Sequence, residues 1–164
     1  MTQPEQKKTQ QRPRWLKATH PGFMFVAIVA IAALMELVLP FPLGTGPRSG
    51  WITFGAILFV SAGASAAWAA VTLRRAGTPI EPGSAAVKLV DSGPFAVSRN
   101  PMYLALSVGS FGFALCIGSR WLAAGAALLW LLLAVVVIPQ EERQLLELFG
   151  RTYERYCSTV RRWF

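Results

Sequence analysis

Charge is what this 164-residue chain has least of: 15% of its residues are Asp, Glu, Lys or Arg, against about 25% in a soluble domain. A water-facing surface is short of material, which argues against a free cytosolic enzyme, and so apolar a composition excludes a disordered chain. Cysteine is almost as scarce. Cys116 and Cys157 form no CxxC and have no paired histidine, so neither a disulfide scaffold nor a zinc site is supported, and no metal is expected. The single histidine, His20, lies in a basic N-terminal stretch and reads as solvated at a membrane surface, a poor choice for catalysis. Acids are outnumbered too, 8 Asp and Glu against 16 Lys and Arg, for a net charge of +8. Alone, that excess suggests nucleic acid. A chain that is 54% hydrophobic, with mean hydropathy +0.44 and long uncharged runs, points to lipid instead, and no nucleic-acid partner is expected.

Four apolar runs carry that hydropathy: Pro21 to Leu43, Trp51 to Leu73, Met102 to Gly118 and Trp121 to Ile138. A run of about 20 residues crosses a hydrocarbon core of roughly 30 Å. Gly55, Ala62, Ala66 and Ala70 recur along the second at near-helical spacing, which suits close helix contact in lipid. Runs three and four are separated only by Gly118, Ser119 and Arg120, so they read as a tight helical hairpin that either spans fully or dips in as a pair. The basic residues sort by segment. Lys7, Lys8, Arg12, Arg14 and Lys17 precede run one, Arg74, Arg75, Lys88 and Arg99 lie between runs two and three, and Arg143, Arg151, Arg155, Arg161 and Arg162 follow run four. The intervening loops hold Arg48 and Arg120. With four crossings this bias puts both termini and the central loop in the cytoplasm, a bacterial inner membrane being favoured. The expected organisation is all-α and polytopic, with about four transmembrane helices and a C-terminal amphipathic helix. Residues 1–19 form a flexible basic tail, and residues 20–164 a single domain with a central loop over 74–101 and an amphipathic segment over 140–164.

Polar residues concentrate in those last two segments. Prolines and glycines keep the central loop irregular, and Asn100-Pro101 leads into run three with proline at a first-turn position. In the C-terminal segment Leu145, Phe149, Tyr153, Tyr156, Val160 and Trp163 recur every three or four residues and line one helix face. With the arginines off that stripe, it suits a helix lying on anionic headgroups. Glu141-Glu142 opens the segment, and can favour the helix dipole or hold a cation. Glu36, inside the first run, is either a functional acid or one that reaches the outer interface.

The order AGTPIEPGSAAVKLVDSGPFAVSRNPMYLAL, a helical hairpin, then EERQLLELFGRTYERYCSTVRRWF resembles the isoprenylcysteine carboxyl methyltransferase-like superfamily of membrane methyltransferases, whose C-terminal half is shared by phospholipid methyltransferases. The resemblance covers Gly77 to Trp163. It implies an integral-membrane enzyme that transfers a methyl group from S-adenosylmethionine to a lipophilic acceptor reached from the bilayer. It also implies cofactor contacts at Lys88, Leu89, Val90, Phe95, Asn100, Pro101, Met102, Tyr103 and Glu141, with Arg99, Glu142 and Arg143 as secondary candidates. Phe95 and Tyr103 suit the adenine or the sulfonium, Glu141 the ammonium, and Arg99 or Lys88 the carboxylate. In-line displacement on an activated donor asks for positioning and desolvation rather than acid–base work, so Arg99 and Tyr103 are expected to position rather than to react.

Four places depart from the family pattern, one being Pro139-Gln140 where a more polar lead-in is usual. Asn100 replaces the usual His, Ala105 a Gly, and Val137 an Arg that contacts substrate in the prenylcysteine enzymes. The last argues against a prenylcysteine carboxylate as acceptor. Two alternatives remain at this stage: an NADPH-dependent membrane reductase of related fold, for which Arg74, Arg75, Lys88 and Arg99 offer few cations, and a non-catalytic membrane scaffold. The methylated atom (oxygen, nitrogen or sulfur) and the oligomeric state stay open.

Overall fold

The computed structural model describes residues 21–44, 48–80 and 86–164. The proposed tail, His20 and residues 81–85 of the central loop lie outside them. Every regular element among the described residues is helical. α1 is Pro21–Val38, α2 Arg48–Arg75, α3 Pro101–Ile117 and α4 Arg120–Leu132. A π-helical turn, Leu133–Val137, runs without a break into α5, Ile138–Phe149, and α6 is Arg151–Thr159. Among the described residues three helices are long and apolar enough to cross a membrane: α1, α2, and the continuous 30-residue helix Arg120–Phe149. α3 has 17 residues, which is about 25 Å of rise.

The distribution of side-chain size fits lipid rather than water outside. On α2 the buried positions are Gly55, Ala62 and Ala69, while Phe54, Ile57, Phe59, Val60 and Trp68 are exposed. α1 likewise presents Phe23, Val26, Ile31, Leu34 and Leu37 outward. Large apolar groups facing out and small ones facing in bring helix backbones together, the packing that works where the solvent itself is hydrocarbon. The contact face of α2 is the small-residue stripe, with Ala69 buried in place of the expected Ala70, which is half-buried. Its partner is α3. A Cβ added at Gly112 would lie 2.7 Å from the Gly55 carbonyl oxygen and 2.8 Å from the Phe59 nitrogen. Both are backbone atoms and cannot swing away. Gly112→Ala is therefore expected to lose about 1–3 kcal/mol through overpacking, read as a lower melting temperature in detergent.

α3 packs on α4 and α4 on α1, so α1 and α2 flank the α3–α4 pair. Gly118 and Ser119 join that pair, with Ser119 capping α4 by accepting from the Leu122 amide. The chain leaving α1 is fastened to this junction. The Leu43 amide donates to the Gly118 carbonyl at 2.7 Å and the Arg120 amide to the Phe41 carbonyl at 3.0 Å. Trp121 Nε1 donates to the Leu39 carbonyl at 2.8 Å. Glu36, in the last turn of α1, accepts from the Ser119 hydroxyl and from the Phe41 amide. Its carboxylate is thus used to tie α1 to the junction.

The π-turn follows from Pro139. A proline in a helix lacks its N–H and its ring crowds the carbonyl four residues back, here that of Val135. Widening the turn before it accommodates the ring, and the Ile138 amide donates five residues back to the Leu133 carbonyl. The helix therefore does not end with the apolar run at Ile138; it continues through Glu141 and Glu142 to Phe149.

The amphipathic segment is two helices, not one. Gly150 breaks it at φ 48°, ψ −125°, a conformation that essentially only glycine adopts without strain. Its apolar stripe does not face headgroups either. Tyr153, Tyr156 and Val160 are buried and pack with Leu89, Leu145, Phe149 and Cys157, while Trp163 packs against the bundle core around Tyr103, Leu129 and Leu133. The stripe is spent on the central loop, whose Leu89 supplies the apolar surface that it covers.

Candidate functional site

The central loop is shaped by a few bonds. Thr78 Oγ1 donates to the Lys88 carbonyl at 3.2 Å, closing the loop on itself. A 3-10 turn, Gly93–Ala96, follows, and the Tyr156 hydroxyl donates to the Phe95 carbonyl at 2.6 Å. Burial pushes the Tyr156 phenol above its ordinary pKa of 10.0, with Asp91 and Cys157 adding to the rise and Arg99 opposing it. A raised pKa means that this stabilisation is complete below pH 10 and fades as pH climbs beyond it. The α6–loop contact is accordingly expected to loosen in strong alkali, seen as faster proteolysis of the loop above pH 10.

Pro101 opens α3 and sets Tyr103 in its first turn. The Tyr103 hydroxyl donates to Glu141 Oε1 at 2.6 Å, which joins α3 to α5. Next to it Glu142 is held by two arginines. Arg99 Nη1 is 3.2 Å from Glu142 Oε1, and Arg162 forks onto the same carboxylate at 3.2 Å and 2.6 Å. Of the two adjacent acids, Glu142 thus holds a pair of guanidiniums, while Glu141 accepts from the Tyr103 hydroxyl. Arg99 Nη1 also donates to Cys157 Sγ at 2.7 Å. Burial works against the Arg99 charge, but Glu142, Cys157 and Tyr153 outweigh it and lift its pKa above the usual arginine value. The guanidinium stays charged while its Nε is buried without a partner, the one such side-chain polar atom among the described residues.

Two adjoining cavities surround these groups. One of about 180 Å³ is lined by Phe95, Arg99, Asn100, Pro101, Met102, Tyr103 and Glu141, together with Gln144 and Leu148. The other, about 90 Å³, adds Lys88, Leu89, Val90, Glu142, Tyr153 and Tyr156. All nine positions expected to contact a cofactor line one or both, and so do Arg99 and Glu142. Arg143 does not, and its side chain is exposed. Sequence reasoning passed over Thr78, Gln144 and Leu148. The last two could have been found, since they lie three and seven residues past Glu141 on the same helix face.

A third cavity, about 750 Å³, lies inside the bundle between all four long helices. Its walls are almost wholly apolar, among them Phe25 and Ile28 of α1, Gly63 and Ala66 of α2, Ala105 and Gly109 of α3, and Ala126 of α4. Of the serines, Ser110 lines it, but its hydroxyl is spent on the Leu106 carbonyl at 2.6 Å. Met102 and Tyr103 belong to this cavity and to the 180 Å³ polar one alike.

Residues 51–152 match the phospholipid methyltransferase family. The match covers more than half of the chain and spans α2, the central loop, α3, α4 and α5. The chain belongs to that family. Its activity class is therefore methyl transfer at a membrane. No curated protein matches the chain.

Proposed function

We propose that this family member is an S-adenosylmethionine-dependent methyltransferase acting on a lipophilic acceptor. The observation that carries the reading is the shared wall: Met102 and Tyr103 face both a polar cavity at the end of the bundle and an apolar one inside it. Two substrates of opposite polarity can meet there and nowhere else among the described cavities.

The donor set suits the cofactor. Glu141 offers a carboxylate to an ammonium, Arg99 a buried donor without a partner to a carboxylate, and Phe95 and Tyr103 aromatic faces to an adenine or a sulfonium. Small-molecule sites run upward from roughly 300 Å³. The two polar cavities, about 180 Å³ and 90 Å³, together come just under that and share Leu73, Thr78, Phe95 and Leu145 as walls, so a bound nucleoside would fill both. When bound, the cofactor supplies a methyl group on a sulfonium that departs as a neutral thioether. The protein's part is to hold donor and acceptor in line and to exclude water. Tyr103, fixed by its bond to Glu141, forms the floor between the compartments.

Val137 sharpens the acceptor. It is buried in the apolar cluster with Tyr103, Leu129, Leu133 and Ile138, so no cation waits there for an acceptor carboxylate. An acceptor with a hydrocarbon body in the bundle and one polar end at Tyr103 fits these walls. The charge distribution favours four crossings with both termini in the cytoplasm, from which the cofactor arrives. Of the four loop cations that an NADPH site would need, Lys88 and Arg99 line the polar cavities and Arg74 and Arg75 do not. That favours methyl transfer over reduction.

Isothermal titration of the purified protein with S-adenosylhomocysteine tests the cofactor, and saturable binding is expected. Transfer of a radiolabelled methyl group from S-adenosylmethionine into a membrane lipid extract tests the reaction. A folded protein that does neither overturns the reading.

A further inference from the structure

Residues 161 and 162, beyond the stretch that matches the family, are bonded directly to the central loop. The Arg99 amide donates to the Arg161 carbonyl at 3.0 Å. The Ser98 hydroxyl donates to the Arg162 carbonyl at 3.0 Å, and Asn100 Nδ2 reaches the same oxygen at 3.4 Å. Three consecutive loop residues thus take their fixed acceptors from two consecutive tail residues. The tail is itself pinned at both sides of those carbonyls. Val160 is buried with Tyr153 and Tyr156, and the Trp163 ring packs on Trp130 with centroids 6.2 Å apart. Arg162 closes the arrangement by forking onto Glu142, the carboxylate that also holds Arg99.

We propose that the tail Val160–Trp163, keyed by the Glu142–Arg162 pair, is a positioning strap that aims Arg99 into the cofactor cavity. Glu142 is then a positioning residue and not a cofactor ligand. Its two oxygens are engaged by guanidiniums, one from the loop and one from the strap, so it converts the docking of the tail into a fixed orientation of Arg99. The bidentate fork of Arg162 fixes the Glu142 carboxylate, where a single point charge would not, and Arg99 Nη1 rests on the Oε1 so placed. The strap also accounts for Asn100. An amide there donates to the Arg162 carbonyl without introducing a third cation beside Arg99 and Arg162. The inference rests on the reading of the polar cavities as the cofactor site.

A double-mutant cycle on S-adenosylhomocysteine binding, measured by titration calorimetry, tests it. Glu142→Gln and Arg162→Gln are each expected to weaken binding about tenfold, Arg162→Lys less, and Arg99→Ala at least as much as Glu142→Gln. Adding Glu142→Gln to Arg99→Ala should cost almost nothing further, because Glu142 acts through Arg99. Full additivity, or wild-type affinity in Glu142→Gln, overturns the proposal. Hydrogen exchange without any ligand provides an independent arm. In Arg162→Gln, and in a chain ending at Val160, amides of residues 98–100 should exchange faster while those in the middle of α3 do not change. Unchanged loop exchange overturns the strap even if the cofactor binds. If the wild-type protein binds no S-adenosylhomocysteine while Arg162→Gln shows the exchange effect, the cofactor reading is overturned, and with it the role given to Arg99.

Discussion

Glu141→Gln is expected to weaken S-adenosylhomocysteine binding by about 1.5–3 kcal/mol, roughly ten- to more than a hundredfold, the worth of a hydrogen bond to a charged group. Gln keeps the shape and can still accept from the Tyr103 hydroxyl, which Glu141 does at 2.6 Å, so the α3–α5 contact should survive. What is lost is the negative charge in the wall of the polar cavity. Glu142 cannot replace it, because its carboxylate is held by Arg99 and Arg162. Tyr103→Phe separates the two contributions: it removes the hydroxyl and leaves the charge, and should cost about 0.5–1.5 kcal/mol. Titration calorimetry in detergent reads both. Equal and small losses would mean that Glu141 serves only to accept from Tyr103. A large loss in Glu141→Gln with a small one in Tyr103→Phe would assign the ammonium to Glu141. An unchanged melting temperature in both keeps the comparison to binding.

Much of the site was legible because its parts are local. Lys88 to Val90, Phe95 and Asn100 to Tyr103 lie on one loop and the first turn of one helix, so one short stretch of sequence supplies much of the lining of the two polar cavities. The long apolar helices were legible for the same reason, as continuous runs need no partner to be recognised. What escaped depends on chain segments meeting at a distance. Arg162 and Glu142 are twenty residues apart across the break at Gly150, and no helical spacing connects them. Cys157, whose spacing signals neither a disulfide nor a zinc site, accepts from Arg99, 58 residues away. The stripe from Leu145 to Trp163 was correctly periodic but wrongly aimed. Periodicity says that a face is apolar and cannot say whether lipid or Leu89 covers it. Pro139 lies just past the fourth apolar run, and the π-turn over Leu133–Val137 absorbs it so that the helix continues to Phe149, a continuity that no apolar pattern signals. The apolar cavity had no signature at all. Its walls come from four helices, and each contributes small residues that alone signal only close packing.

Gly63→Trp is the substitution expected to separate the two compartments most cleanly. Gly63 is exposed on α2 yet lines the 750 Å³ cavity, so it stands where that cavity meets the surrounding lipid. A Cβ built on it meets nothing within 4 Å, in contrast to Gly112, where a Cβ would strike backbone at 2.7 Å. A large side chain can therefore enter without prising helices apart, and replacing a mid-helix glycine gains a few tenths of a kcal/mol in helix propensity. The melting temperature should not fall. S-adenosylhomocysteine affinity should not change either, because Gly63 belongs to neither polar cavity. The acceptor should suffer. An indole that displaces about four methylenes of a hydrocarbon chain removes about 3 kcal/mol of burial, roughly a hundredfold in kcat/KM for a long-chain acceptor. A short-chain acceptor that does not reach past the indole should be used at nearly the original rate. That crossing of chain length with substitution is what a general loss of activity would not produce. If long- and short-chain acceptors fall equally, or neither falls, the acceptor does not lie in the bundle. Tyr103 would then face the apolar cavity for packing alone, and the lipid would have to approach the polar cavity from the membrane surface.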